Sequence, residues 1–184
     1  MEYHETTRQF IDLSDIDFAG RVLDIGGGGE GIISRHSGDK VVAIDVNADE
    51  LAETPDIGVK IIMDACRLAF LDGYFDHITC FYSLMYMNAR QIEQFLDEAF
   101  RVLKRGGLLW IWDAAIPATK SADIFVVQLE VKISNQQTIS VGYGVPWDRE
   151  QSLEIIKGLC ERARFSLMNS SGNNAAFALR LQKE

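Results

Sequence analysis

Arg21-Val22-Leu23-Asp24-Ile25-Gly26-Gly27-Gly28-Gly29-Glu30-Gly31 runs an apolar, β-rich segment into four consecutive glycines. Glycine lets a chain turn sharply and lets a ligand approach bare backbone, and a helix N-terminus adds unpaired amide groups beside it. Gly26, Gly28 and Gly31 satisfy G-x-G-x-x-G, a pattern that alone fits a tight strand-to-helix connection equally well. The surroundings say more. The loop follows a predicted strand, precedes a short predicted helix, and is followed by a second strand carrying Asp45 about twenty residues after the first glycine, where a carboxylate can accept both ribose hydroxyls. Asp45, Asn47 and Asp49 also suit a helix start, with Asn47 the better cap.

The charge of the loop selects among ligands. Asp24 and Glu30 are acidic, and no Lys or Arg lies between Arg21 and Arg35 to balance them. A pyrophosphate would meet two carboxylates, so NAD, FAD and ATP are disfavoured, and no G-K-[ST] is present to form a phosphate loop. A ligand with adenosine and a positive charge fits better.

Outward from the loop, apolar runs alternate with helical patterns. Arg21–Ile25, Val41–Val46, Val59–Met63, His77–Tyr82 and Leu108–Trp112 are predicted strands, and their continuous apolar character is that of parallel strands buried on both faces. Asn88–Lys104 carries Ile92, Phe95, Leu96, Ala99, Phe100 and Leu103 at spacings of three and four, which predicts a helix with one apolar face. Asn88 and Gln91 form a capping-box pattern, and Lys104, Arg105 and Gly106 supply its cations and a left-handed stop. Ile124–Ile133 and Thr138–Val145, joined by Ser134–Gln137, predict an antiparallel hairpin. Asp148 is the expected cap of a helix through about Ala163, and Phe165–Met168 and Ala176–Leu181 are final strands around a turn-rich Asn169–Asn174.

Five segments, taken in order, resemble one family. Val22-Leu23-Asp24-Ile25-Gly26-Gly27-Gly28-Gly29 is similar to motif I of class I S-adenosylmethionine-dependent methyltransferases, of the small type 11-like kind. Val42-Ala43-Ile44-Asp45-Val46-Asn47 resembles the acidic second motif and Met63-Asp64-Ala65 the third. Phe75-Asp76-His77-Ile78-Thr79 resembles the fourth strand, and Arg101-Val102-Leu103-Lys104-Arg105-Gly106-Gly107 the turn before the fifth. The resemblance covers roughly residues 20–113. It implies an α/β, Rossmann-like, mostly parallel seven-stranded sheet of order 3-2-1-4-5-7-6 with its last strand antiparallel, and S-adenosylmethionine over the C-terminal ends of strands one and four. Residues 1–184 are expected to be one domain, with 118–147 a hairpin or lid insertion after strand five. The implied cofactor-binding residues are Asp24, Gly26, Gly27, Gly28, Asp45, Val46, Asp64, Ala65, Phe81 and Tyr82. Two departures stand out: Glu30 replaces the last glycine of D-x-G-x-G-x-G, and Phe81–Met87 contains none of the histidines often found there.

Asp113, at the end of the fifth strand, and Tyr86 are the candidate catalytic residues, with capping and packing as their alternatives. Tyr143 and Trp147 fit an aromatic acceptor pocket, or, with the apolar Ile124–Val127, a homodimer edge. The expected activity is methyl transfer to a small molecule. Its rivals are a non-catalytic S-adenosylmethionine-binding module and a dinucleotide oxidoreductase. With 18 basic and 27 acidic residues, a formal charge of −9 disfavours nucleic acid and anionic membrane surfaces. Three widely spaced cysteines, Cys66, Cys80 and Cys160, suggest neither a disulfide framework nor a metal site, and the absence of a basic-then-apolar N-terminus predicts a cytoplasmic protein.

Overall fold

A computed structural model describes residues 1–184. In chain order the elements are β1 (Tyr3–Glu5), β2 (Gln9–Asp12), β3 (Val22–Ile25), α1 (Ile32–Ser37), β4 (Val41–Asp45), α2 (Ala48–Glu53), β5 (Val59–Ile62), β6 (Phe75–Phe81), α3 (Ala89–Val102), β7 (Leu103–Ala114), β8 (Ile124–Ser134), β9 (Gln137–Pro146), α4 (Leu153–Arg162), β10 (Phe165–Gly172) and β11 (Ala176–Lys183).

Seven strands form one sheet in the order β5-β4-β3-β6-β7-β11-β10. β3, β4, β5, β6 and β7 are mutually parallel, and β11 runs antiparallel to both β7 and β10. Counted along the chain this is the expected 3-2-1-4-5-7-6 order. Successive residues of the central strands alternate between two cores. Leu23, Ile25, Ile78, Cys80, Leu109 and Ile111 face the side covered by Phe95, Leu96 and Ala99 of α3 and Ile156 and Cys160 of α4. Val22, Phe81 and Trp112 face the other. The run is apolar throughout because both faces are covered.

That second face is covered largely by another sheet. β8 alternates Phe125, Val127, Leu129, Val131 and Ile133 inward, and these join Ile32 and Ile33 of α1 in the core under β3 and β4. The predicted hairpin is present, with β8 and β9 antiparallel and a turn tightened to Asn135–Gln136. Its other side differs from expectation. β1 and β2, which were not predicted, both pair in parallel with β8. β8 is therefore flanked on both sides, so Ile124–Val127 is no open edge of the kind a dimer contact there requires; the outer edge of the hairpin is β9.

Two helix ends are corrected. The capping box of α3 forms as predicted, Asn88 Oδ1 accepting from Gln91 N–H at 3.0 Å and Gln91 Oε1 from Asn88 N–H at 2.9 Å. The helix stops at Val102, however, and Gly106, at φ +78, turns within the entry to β7 rather than ending α3. Lys104 is drawn into an ion pair with Asp76. Asp148 caps nothing: α4 starts after Ser152, whose hydroxyl accepts from Ile155 N–H. No helix is long and apolar enough to cross a membrane.

Candidate functional site

A cleft of about 850 Å³ opens over the C-terminal ends of β3, β4, β5 and β6. Open α/β sheets bind ligands at such a switch point, where the strand order reverses between β3 and its neighbours β4 and β6. The volume is in the range for a ligand of nucleoside size, roughly 300–1,000 Å³.

The glycine loop forms one wall. Gly26 turns at φ +66, and a Cβ there would collide with Ser83 Oγ, which donates to Ile25 O at 2.9 Å and pins the loop to the end of β6. A Cβ on Gly28 would lie 2.6 Å from Glu50 Cβ and 2.9 Å from an Asp45 carboxylate oxygen. Gly27 N–H donates to Ile44 O at 3.0 Å and Gly29 N–H to Glu50 O at 2.8 Å, so the loop lies flat against β4 and α2. Gly31, at φ +59, opens α1. The extra residue in this loop, Glu30, turns its side chain into the cleft, where its Oε2 accepts from Tyr143 Oη at 3.1 Å.

Most of the expected cofactor residues converge here: Gly26, Gly28, Asp45, Val46, Asp64, Ala65, Phe81 and Tyr82 line the cleft. Asp45 Oδ1 accepts from Asn47 N–H at 2.8 Å while Asn47 caps α2 through Asp49 N–H, so the two readings of this segment hold together. Asp64 Oδ1 accepts from Cys66 N–H at 2.8 Å. Gly27 and Asp24 are behind the wall. Asp24 is 2% exposed and its Oδ1 accepts from Thr79 Oγ1 at 2.7 Å; burial pushes its carboxyl up to about 7, against the pull of that hydrogen bond and with a further push from Asp45.

The candidates for chemistry divide. Tyr86 and Tyr143 line the cleft; Asp113 and Trp147 do not. Asp113 is fully buried, its Oδ1 accepting from Ala114 N–H and Gln151 Nε2 and its Oδ2 from Leu84 N–H, each at 2.8 Å. Burial pushes it up to about 7 against these donors. Its Oδ2 ties the turn Leu84–Tyr86 that follows β6 to the end of β7, the geometry of a positioning residue for that turn. Arg149 grips the turn from its other side, donating to the carbonyls of Met85 and Met87. Trp147 is 3% exposed, donates to Pro117 O at 2.8 Å and packs on His4 and Phe125. It belongs to the core of the second sheet.

Three tyrosines stand at the strap end of the cleft, where β9 meets the glycine loop. The rings of Tyr82 and Tyr143 stack at 5.6 Å between centroids and 23° between planes. Tyr82 has φ +52, a left-handed backbone that a bulky residue adopts only when its surroundings impose it. Here its N–H donates to Trp112 O at 2.7 Å. Burial, then the Asp113, Glu50 and Glu30 carboxylates, pushes the Tyr86 hydroxyl up to about 12, and burial raises Tyr82 and Tyr143 as well. All three remain neutral donors at physiological pH. Cys66, also in the lining, is raised to about 11 by burial and by Asp64, so its thiol stays protonated.

Residues outside the motifs complete the lining, notably Glu50, Ser83, Met87 and Gln91. Gln91 was legible only as the capping-box partner of Asn88, and Glu50 only as an acid in the first turn of the helix after Asp45.

The profile of the methyltransferase domain family matches residues 23–111. Among curated proteins none matches the chain in sequence. Solved structures share its fold. An S-adenosylmethionine-dependent methyltransferase from Methanosarcina mazei is 20% identical with TM-score 0.63, the match covering 91% of this chain and 94% of that one. One from Mesorhizobium loti is 13% identical with TM-score 0.64, covering 91% and 94%. The [4+2]-cyclase SpnF is 16% identical with TM-score 0.67, covering 92% and 77%. The matched family segment builds the glycine loop, the acid of β4 and most of the five parallel strands around the cleft, so over residues 23–111 the chain is similar to the methyltransferase domain family, and S-adenosylmethionine is the cofactor that this similarity supports.

Proposed function

We propose that the chain transfers a methyl group from S-adenosylmethionine to a small-molecule acceptor that enters beneath β9. The supporting observation is the cleft itself: unpaired acids at the ends of adjacent strands, a flat glycine wall and a tyrosine-lined end under the strap. The donor set fits the cofactor. In this reading Asp45 accepts from the ribose, Asp64 and Ala65 meet the adenine, Val46 and Phe81 flank it, and the backbone at Gly26–Gly28 receives the amino-acid end, with Asp24 supporting that loop from beneath.

The cofactor supplies a methyl group already activated by its sulfonium, which leaves the protein to align the acceptor and exclude water. In this reading Tyr143 and Tyr82 wall the acceptor position and Tyr86 orients it as a hydrogen-bond donor. No ionised side chain of the tyrosine set acts as a base. Nucleic acid and membrane surfaces are disfavoured as acceptors by the acid-lined cleft and the chain's charge of −9. Three free cysteines, two of them buried, support a reducing, cytosolic setting.

The test is calorimetric titration with S-adenosylmethionine, followed by S-adenosylhomocysteine formation across a panel of small acceptors and, in parallel, oligonucleotides. Turnover with small acceptors only is expected. Binding without turnover of any acceptor would favour a module that holds the cofactor without using it.

A further inference from the structure

We propose that the acceptor is a cationic amine, held as its ammonium between the tyrosines of the strap end and the carboxylates of Glu30 and Glu50, and methylated on nitrogen. This rests on the methyltransferase reading above and adds the acceptor class. Five carboxylates line the cleft, those of Glu30, Asp45, Glu50, Glu53 and Asp64, and none is in an ion pair. The lining's cation, Arg35, gives its Nε–H to the backbone carbonyl of Glu30 at 2.7 Å and so serves the loop. S-adenosylmethionine carries a sulfonium, an ammonium and a carboxylate, one net positive charge, so its arrival leaves an excess of acid. With Asp45 and Asp64 given to adenosine, Glu30, Glu50 and Glu53 remain, and of these Glu30 is the one bonded to a tyrosine of the strap end. Glu50, at the exposed rim, has its carboxyl raised by desolvation and then by repulsion from Glu53, Asp45, Glu30 and Asp49, the direction expected where acids crowd without a cation.

The aromatic side points the same way. Tyr82 and Tyr143 present stacked rings, Tyr86 is half-exposed in the lining, and a cation over such faces is attracted by the ring quadrupole. Tyr82 adds an independent sign of a missing partner: the residue lines the cleft, is only 2% exposed, and its hydroxyl has no hydrogen-bond partner. Buried polar groups are matched in the great majority of cases. The proton balance of an ammonium acceptor closes within the cleft: it sheds one proton, which passes through the Glu30 carboxylate to water, the freed nitrogen lone pair forms the bond to the methyl carbon, and the carbon–sulfur pair returns to sulfur. An anionic acceptor would meet the excess acid.

The experiment titrates 2-phenylethylamine, 2-phenylethanol and 3-phenylpropionate, matched in shape and differing in charge, into protein saturated with S-adenosylhomocysteine. Binding of the latter is measured first; its failure would sink the cofactor reading, and the amine proposal with it. The amine is expected to bind at least ~10-fold tighter than the alcohol, with the acid undetected. Glu30→Gln should shrink the amine's advantage to about threefold or less, measured at saturating S-adenosylhomocysteine. Labelled methyl from S-adenosylmethionine should then appear on nitrogen in a mixed panel of amines, phenols and acids. Equal or tighter binding of the alcohol or acid, binding of none of the three, an amine advantage untouched by both Glu30→Gln and Glu50→Gln, or label on oxygen with amines left unmodified would each overturn the proposal.

Discussion

Gln151 Nε2 donates to Asp113 Oδ1 at 2.8 Å inside a fully closed pocket, and the same nitrogen donates to Ala114 O at 2.9 Å. The pair locks the end of β7 to the segment before α4, which an isolated bridge between Ile116 and Gln151 continues. Asp113→Asn would point an amide NH₂ at groups that are themselves donors. The expected cost is ~2–4 kcal/mol, because a buried network is left with mismatched polar atoms. Urea or thermal unfolding measures it, at about 2–4 °C of melting temperature per kcal/mol for a chain of this size. The pH profile of methyl transfer by the folded variant should keep its shape; loss of an ionisation from that profile would return Asp113 to the role of base.

Asp45→Ala should lower S-adenosylmethionine affinity by about one to two decades, the loss of a charged hydrogen bond worth ~1.5–3 kcal/mol. The fold should survive, since Asn47 still caps α2 through Asp49 N–H. Calorimetry beside a melting curve checks both halves, and unchanged affinity would remove Asp45 from the site.

Stability should fall as pH rises from about 4 to about 7. Asp24 and Asp113 each have a carboxyl raised to about 7 in the folded chain by burial, from an ordinary value of 3.8. Below the ordinary value both states are protonated and the contribution is fully present. As pH climbs, the unfolded chain ionises first, and the contribution is gone once pH passes the folded value. A three-unit shift sets a ceiling of about 4 kcal/mol per group. Melting temperatures from pH 4.5 to 8 read the slope, and Asp24→Asn should flatten it by removing one of the two groups. An equally steep slope in that variant would show that Asp24 does not titrate in this window.

The cleft should discriminate by charge. S-adenosylmethionine and S-adenosylhomocysteine share adenosine and the amino-acid ammonium, and both should bind; ATP and NAD should bind at least ~100-fold more weakly, facing like charges and no basic clamp. One thermal-shift or calorimetric series compares all four. ATP or NAD binding as tightly as S-adenosylmethionine would defeat the electrostatic reading of Glu30 and the acids beside it in the lining.

The central strands, the glycine turn and the acid at the end of the second strand were legible in the chain because each rests on local grammar, whereas the strand order came from the resemblance of residues 20–113 to a family. A continuous apolar run is stable only where both faces of a strand are covered, consecutive glycines permit a turn closed to other residues, and an acid at a strand's C-terminal end arrives at the switch point by topology alone. The capping box of Asn88 and Gln91 is local in the same sense, its partners being three residues apart. Long-range placement was not legible. Tyr3–Glu5 and Gln9–Asp12 are short and polar, and become strands because the edge of β8, more than a hundred residues away, offers unpaired backbone groups. Asp113 and Trp147 had the residue types of a site, yet which way each side chain points depends on Leu84, Gln151, Pro117 and His4, brought close by packing of separate elements. Glu30 departed from the motif in sequence; only the fold, by carrying Tyr143 across to it on β9, made that departure part of the cleft wall, since side chains 113 positions apart meet only when both sheets are assembled.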